Sequence, residues 1–206
     1  MNSVRKKIYS LSPEEVIAGY KSGVFPMGDS ENTVNWYEAD PRGIILLPPD
    51  AESLHITHSL KQVLKKNLFE IRINTAFDEV IYNCSLRQEK WINKIIIDVY
   101  TKLNKLGYAY SVEAWRDGKL TGGLYGVAIN GAFFGESMFH KESNASKVCV
   151  VKLYDILINN YFSLFDIQMI TPVFKTFGAV HISKEEYLKR LDVAMRMVKV
   201  PNYLSR

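Results

Sequence analysis

Residues 107–144 read GYAYSVEAWRDGKLTGGLYGVAINGAFFGESMFHKESN, and the reading of this stretch decides the fold. Asp117-Gly118 and Asn130-Gly131 each interrupt runs rich in aromatic and β-branched residues. Both dipeptides suit the left-handed backbone of tight type I′ turns, whose twist matches the strands on either side. The spacing predicts a three-strand antiparallel meander over about Tyr108–Arg116, Lys119–Ile129 and Ala132–Phe139. A period of two on the last strand puts Ala132, Phe134, Glu136 and Met138 on one face. A carboxylate among apolar neighbours has to be paired, solvated or functional. Glu136 is therefore the first candidate for chemistry.

Helices flank the meander. Ile96, Val99, Tyr100 and Leu103 recur at helical spacing between Asn93 and Lys105, and Gly107 supplies the stop. Downstream, Val150, Leu153, Tyr154, Leu157 and Ile158 form the wide apolar face of a helix from Ser143 to about Asn160. A short strand follows at Leu164–Ile170, then a short helix before Gly178, then a capping box at Ser183–Glu186 that opens a last helix to about Met197. Toward the N-terminus, Ser12-Pro13-Glu14-Glu15 starts a helix that ends near Ser22. Phe25–Gly28 reads as irregular and Asp29–Thr33 as a polar loop. Ile44–Leu47 and Phe69–Ile73 read as strands; Thr57–Lys66 and Ala76–Cys84 read as helices. The order suits an α+β chain, with a small N-terminal α/β piece (residues 1–85) packed on a larger mixed-sheet domain (residues 86–206).

The totals exclude several classes. Apolar residues make up 47% and charged residues 23%, as in ordinary globular proteins. No apolar run reaches the roughly 20 residues that span a bilayer, and the basic N-terminus lacks the apolar stretch of a secretory signal. Cys84 and Cys149 stand far apart without metal-ligand spacing and are expected as reduced core thiols. Of the four histidines only His55 and His58 are close, with no acid or cysteine at ligand spacing, so no metal site is expected. Neither a P-loop nor a dinucleotide fingerprint occurs. The net charge of +4 permits a polyanionic partner without requiring one.

Four groups of residues point to ligands. Trp36 and Tyr37 are adjacent aromatics beside a Pro-containing turn. They form either a ledge on which a planar ligand stacks or a plug beneath a loop. Lys61, Lys65 and Lys66 lie around the polar side of an amphipathic helix, where they face phosphates or only solvent. Asn144 and Lys147 sit where a helix begins, with free N–H groups that could hold an anion or be plainly capped. Asp166 and Gln168 are two apart on an apolar strand, which puts an acid and an amide on one face. Such groups need hydrogen bonds when buried, whether as a structural pair or as an acid/base and its partner.

Several segments, among them GVFPMG, WYEADPRG, SLHITHSL, AFDEVI, KWIN, LGYAYSVEAW, GGLYGVAINGAFFGESMFHKESNASK, LFDIQM and TFGAVHISKEEYL, resemble the leucyl/phenylalanyl-tRNA–protein transferase family. They cover most of the chain from about Leu11 to Leu188, in the family's order. The resemblance implies a GNAT-like fold for the C-terminal domain. It also implies transfer of Leu or Phe (Met less well) from aminoacyl-tRNA to the α-amine of proteins beginning with Arg or Lys, which marks them for degradation. By the same resemblance Trp36 and Trp91 sandwich the terminal adenosine, with Tyr37 beside them. Leu124, Met138 and Leu153 form the side-chain pocket, with Ser137 beside it. Glu136 holds the donor, and Asp166 and Gln168 are the catalytic pair. The expectation is a cytoplasmic monomer without cofactor. Two other readings are an acyl-CoA-dependent GNAT-like N-acyltransferase, disfavoured because no pyrophosphate loop occurs, and a non-catalytic RNA-binding module using the aromatic pair and the lysine helix.

Overall fold

The computed structural model describes residues 2–3, 8–86 and 91–197; the polar stretch 87–90 lies outside them. The elements follow the chain as β1 (Asn2–Ser3), α1 (Pro13–Lys21), β2 (Phe25–Ser30), β3 (Thr33–Glu38), β4 (Arg42–Ile45), α2 (His58–Lys66), β5 (Glu70–Ile73), α3 (Phe77–Ser85) and α4 (Lys94–Lys105). They continue as β6 (Ala109–Arg116), β7 (Lys119–Ile129), β8 (Ala132–His140), α5 (Ala145–Asn159), β9 (Leu164–Gln168), α6 (Pro172–Thr176), β10 (Val180–Ile182) and α7 (Lys184–Arg196). The helix starts follow their capping residues. Ser12 and Glu15 cap α1 reciprocally, and Thr57, Asn93 and Ser183 cap α2, α4 and α7. The stretch expected to be irregular, from Phe25 to Thr33, is instead the hairpin β2–β3, joined to β1 in a small sheet of order β1-β3-β2.

The large sheet has seven strands in the order β10-β4-β9-β8-β7-β6-β5. The meander β6-β7-β8 lies within it close to the predicted limits, β6 starting one residue later and β8 running one residue longer. β8 pairs with β9 in parallel, and the other neighbours are antiparallel. β4 and β5 come from the first 85 residues, so a boundary at residue 85 separates no two sheets: the N-terminal half supplies an inner strand and an edge of the large one. One apolar cluster joins α1, α3, α4, α7 and the small sheet to one face, with Val80, Ile96 and Tyr100 fully enclosed. The other packs α2 and α5 on the opposite face, around Phe133, Cys149 and Leu157. Both cysteines are buried, unbridged thiols.

The two hairpin turns differ. Asp117 and Gly118 both take positive φ, 49° and 72°, as a type I′ turn requires. At the other turn only Asn130 does, at 52°. Gly131 suits that position because α7 comes so close that a Cβ would lie 3.0 Å from the Ala194 carbonyl oxygen. Its N–H donates to the Ala194 carbonyl at 2.9 Å. Tertiary docking, not turn chemistry alone, holds this end of β8. At the far edge, the buried carboxylate of Glu113 accepts the backbone N–H groups of Thr75 and Ala76 at 2.9 and 2.8 Å. α3 has no capping side chain of its own, and Glu113 takes that part from the neighbouring strand β6.

Candidate active site

β8 and β9 begin side by side and then part. Their paired register runs Ala132↔Leu164, Phe133↔Phe165, Phe134↔Asp166 and stops. Each strand carries an extra residue at this level. On β8, Tyr125 faces Ser137 and Gly126 faces Gly135, so Glu136 is the bulged residue. On β9, Gly43 faces Gln168 and Ile44 faces Asp166, so Ile167 is the extra one. A bulge bends its strand and re-aims a side chain; here two adjacent bulges open a cleft. The bulge on β8 also corrects the single-face reading of that strand. Ala132 and Phe134 belong to the α3/α4 side, whereas Met138, beyond the bulge, packs with the α5 side.

The cleft holds a cavity of about 640 Å³. Its buried lining is apolar: Leu124, Leu153, Phe165, Ile167 and Phe25, with half-buried Met138 beside them. Among the described residues Glu136 is the one carboxylate in the lining, accompanied by Ser137, Gln168, Ser146 and Tyr125. The more open part presents Met27, Trp91, Lys141, Met169 and Phe174.

Glu136 is half-buried, open toward the cavity and enclosed behind. Tyr20 of α1 donates to its Oε1 at 2.5 Å and Tyr100 of α4 to its Oε2 at 3.2 Å. The two phenol oxygens are also within hydrogen-bonding reach of each other, and because each carries one proton, a proton that Tyr100 gives to Tyr20 is withheld from Glu136. Burial pushes the Glu136 carboxyl up to about 7, against the opposing pull of the two phenol hydrogen bonds. Burial and then the charge of Glu136 hold Tyr20 and Tyr100 well above the ordinary phenol value, so both remain donors.

Asp166 lies one strand away in a different setting. It is fully buried and absent from the cavity lining. Arg42, itself 1% exposed, holds it through two parallel bonds, Nε to Oδ1 at 2.9 Å and Nη2 to Oδ2 at 2.7 Å. Tyr187 donates to Oδ2 at 2.8 Å and the Gln168 backbone N–H to Oδ1 at 2.8 Å. Arg42 is held above its ordinary value: burial works against its charge, and the Asp166 carboxylate more than restores it. Both oxygens of Asp166, expected as one of the catalytic pair, are thus engaged by these donors, and the residue stands behind the cavity lining next to Gln168. Gln168 is in the lining. With its amide turned as the surrounding acceptors require, its nitrogen donates to the Gly135 carbonyl at 2.7 Å and the Ile167 carbonyl at 3.1 Å.

Trp91, Leu124, Met138, Leu153, Ser137, Glu136 and Gln168 are brought together as the sequence suggests. Trp36 and Tyr37 are not in the lining. Trp36 is half-buried and packs under α1, so close that a Cβ on Gly19 would lie 2.2 Å from its ring. Its β3 neighbours pair with β2, where Met27 opposes Asn35 and reaches the cavity instead. Lys61, Lys65 and Lys66 sit on α2, which packs against α5 outside the cavity. Asn144, with φ of 67°, precedes α5 and donates to Ser143. Neither it nor Lys147 lines the cavity; Ser146 and Lys141 do. Among the described residues no group of three or more His, Cys, Asp or Glu is placed to hold a metal, and no helix is long and apolar enough to cross a membrane.

Sequence reasoning missed Arg42, Tyr187, Tyr20, Tyr100 and Met27. Arg42 carried a signal: it opens the apolar run Gly43–Leu47, and a charge there needs a partner as surely as Asp166 does. The tyrosines carried none, because a phenol at a helical core position reads as packing.

A mixed sheet with two bulged strands splayed around an apolar cavity defines a GNAT-like transferase class. Comparison with known proteins narrows it. Residues 46–192 match the family model of leucyl/phenylalanyl-tRNA protein transferase, and residues 9–40 match the model of its N-terminal domain. The chain is 46% identical over 186 residues to a leucyl/phenylalanyl-tRNA–protein transferase of Herpetosiphon aurantiacus, covering 90% of this chain and 95% of that one. It is 43% identical over 188 residues to one of Rubrobacter xylanophilus, covering 91% and 96%. The chain belongs to the leucyl/phenylalanyl-tRNA–protein transferase family. The two family models divide it at residues 40–46, ahead of β5 and within β4.

Proposed function

We propose that this protein transfers leucine or phenylalanine, and methionine less well, from aminoacyl-tRNA to the α-amine of proteins that begin with Arg or Lys, marking them for degradation. The observation that carries this reading is the cavity, whose apolar lining meets the Glu136 carboxyl, pushed up by burial, at the bulge of β8. The donor side chain lies among Leu124, Met138, Leu153, Phe165 and Ile167. An apolar pocket separates substrates that differ by one methylene by only about 1–3 kcal/mol, which is consistent with acceptance of more than one unbranched-Cβ side chain. The terminal base lies against Trp91, with Met27 rather than Trp36 as its neighbour, and Lys141 faces the nearest phosphates.

The reaction is ester aminolysis. The acceptor nitrogen bonds to the ester carbonyl carbon, the bond from that carbon to the ribose oxygen breaks, and the ribose hydroxyl leaves with a proton. An N-terminal amine has a pKa near 8, so about a tenth is already neutral at pH 7. Glu136 receives the proton that the amine sheds and passes it to the departing ribose oxygen, and the Tyr20 and Tyr100 hydroxyls stabilise the ionised carboxylate before and after. The test is to incubate the protein with labelled Leu-tRNA and peptides beginning with Arg or with Ser. Label moving to the Arg peptide alone is expected. Absence of transfer from Leu-, Phe- and Met-tRNA alike would overturn the proposal.

A further inference from the structure

The Arg42–Asp166–Tyr187 cluster is not needed to make the cavity apolar, and it does not touch it. It gathers four parts of the fold. Arg42 opens β4, Asp166 belongs to β9, Tyr187 to α7, and Arg42 Nη1 donates to the Gly23 carbonyl just past α1 at 3.1 Å. The guanidinium also lies over the rings of Tyr187 and Phe25, at 4.3 and 4.8 Å from their centroids. A buried ion pair of this kind is weak evidence for stability, since apolar packing often serves as well. What it does hold is a backbone. Gln168 has φ of 54°, a left-handed conformation unfavourable for a residue with a side chain. Its N–H bond to Asp166 Oδ1 keeps it there. From that turn the Gln168 amide reaches the Gly135 carbonyl, next to the bulged Glu136.

We infer that Arg42 and Tyr187 are positioning residues for the transfer reaction: by fixing Asp166 they set the turn at Gln168, and through the Gln168 amide the bulge that aims Glu136. This rests on the cavity being the transfer site. The chain of contacts is continuous across named atoms, and every link but the last is closed to solvent.

The test is a double-mutant cycle of Tyr187→Phe and Gln168→Ala on the full chain, with kcat and KM for Leu-tRNA, the urea midpoint, and hydrogen exchange of the Gln168 backbone amide. Tyr187→Phe removes one hydroxyl and leaves the ion pair in place, so the fold is expected to persist; Arg42→Lys, which keeps the charge but loses the fork, is the second variant. Tyr187→Phe is expected to lower kcat about tenfold, the scale of one lost hydrogen bond to a charged group, with KM for the donor within about twofold. Exchange at Gln168 is expected to quicken. In the Gln168→Ala background the same change is expected to cost less than about twofold, because non-additivity marks residues that act as one unit. If the two effects multiply, or if only the urea midpoint moves, the inference fails. If the unmodified protein transfers nothing while exchange at Gln168 still responds to Tyr187→Phe, the transfer reading fails and the lock stands.

Discussion

Glu136 and Asp166 stand on neighbouring strands at the level where those strands part, and they are acids of opposite character. Asp166 is closed behind Arg42 and Tyr187, with four hydrogen bonds from charged or neutral donors. Glu136 has two phenols behind it and the cavity in front, and its carboxyl sits near 7. The difference shows how one sheet holds one acid in a closed ion pair and leaves another open to a cavity. A full cation and a full set of donors pin the charged form; neutral donors and partial burial leave the proton free to come and go. The bulge decides which acid meets the cavity.

The largest break of this contrast is Asp166→Ala. It leaves Arg42 buried and unpaired, and removing one partner of such a pair costs about 3–5 kcal/mol. Urea denaturation is expected to show that loss; a midpoint unchanged from the parent would mean the pair is solvated. Glu136→Gln is expected to leave the fold intact and to lower kcat/KM by roughly a hundredfold, the lower end of the range for a general base. The rate limb near pH 7 is then expected to vanish, leaving the limb of the acceptor amine near 8. Its effect on stability has a defined sign. Because the folded Glu136 titrates near 7 and not at its ordinary 4.5, the native state keeps a proton that the unfolded chain loses between those values. Stability therefore falls as pH rises from about 4.5 to 7. Glu136→Gln is expected to be more stable than the parent at pH 8, by on the order of 1–2 kcal/mol after allowance for solvent in the cavity, and equal to it at pH 4.

Three further changes sharpen the contrast between the cavity and its surroundings. Trp91→Ala is expected to raise the Kd for aminoacyl-tRNA by the equivalent of about 1–3 kcal/mol, the range for one base–aromatic stack. Trp36→Ala is expected to lower the unfolding midpoint with Kd unchanged; if Kd rises as much as for Trp91→Ala, Trp36 belongs to the binding site. Reversing charge at Lys61, Lys65 and Lys66 is expected to have the smallest effect, a modest rise in Kd with a flatter salt dependence. Binding identical to the parent across a salt titration would assign that helix face to solvent.

Much of this was legible in residues 107–144. Asp117 and Asn130 marked both turns of the meander, because few side chains tolerate positive φ, and β6, β7 and β8 fall within a residue or so of their predicted limits. Two helices announced themselves through Ser12 and Ser183, whose side chains satisfy N–H groups that no backbone partner can reach, and the others through apolar spacing. The same rule on buried charge flagged Glu136 and Asp166 but could not divide their roles. Alternation along a strand presumes that no residue is extra, and Glu136 and Ile167 both violate that presumption.

By itself, then, the sequence determined the local units: where helices start, where the meander turns, which residues are apolar and which acids are out of place. These depend on contacts within a few residues, so the chain states them directly. Only the tertiary structure decided that Arg42 seals Asp166 from 124 positions away. It likewise decided that Met27 and not Trp36 faces the cavity, and that Tyr20 and Tyr100 converge on Glu136. Those outcomes rest on how strands β4, β8 and β9 register and bulge against one another, and register between distant segments is a property of the assembled sheet.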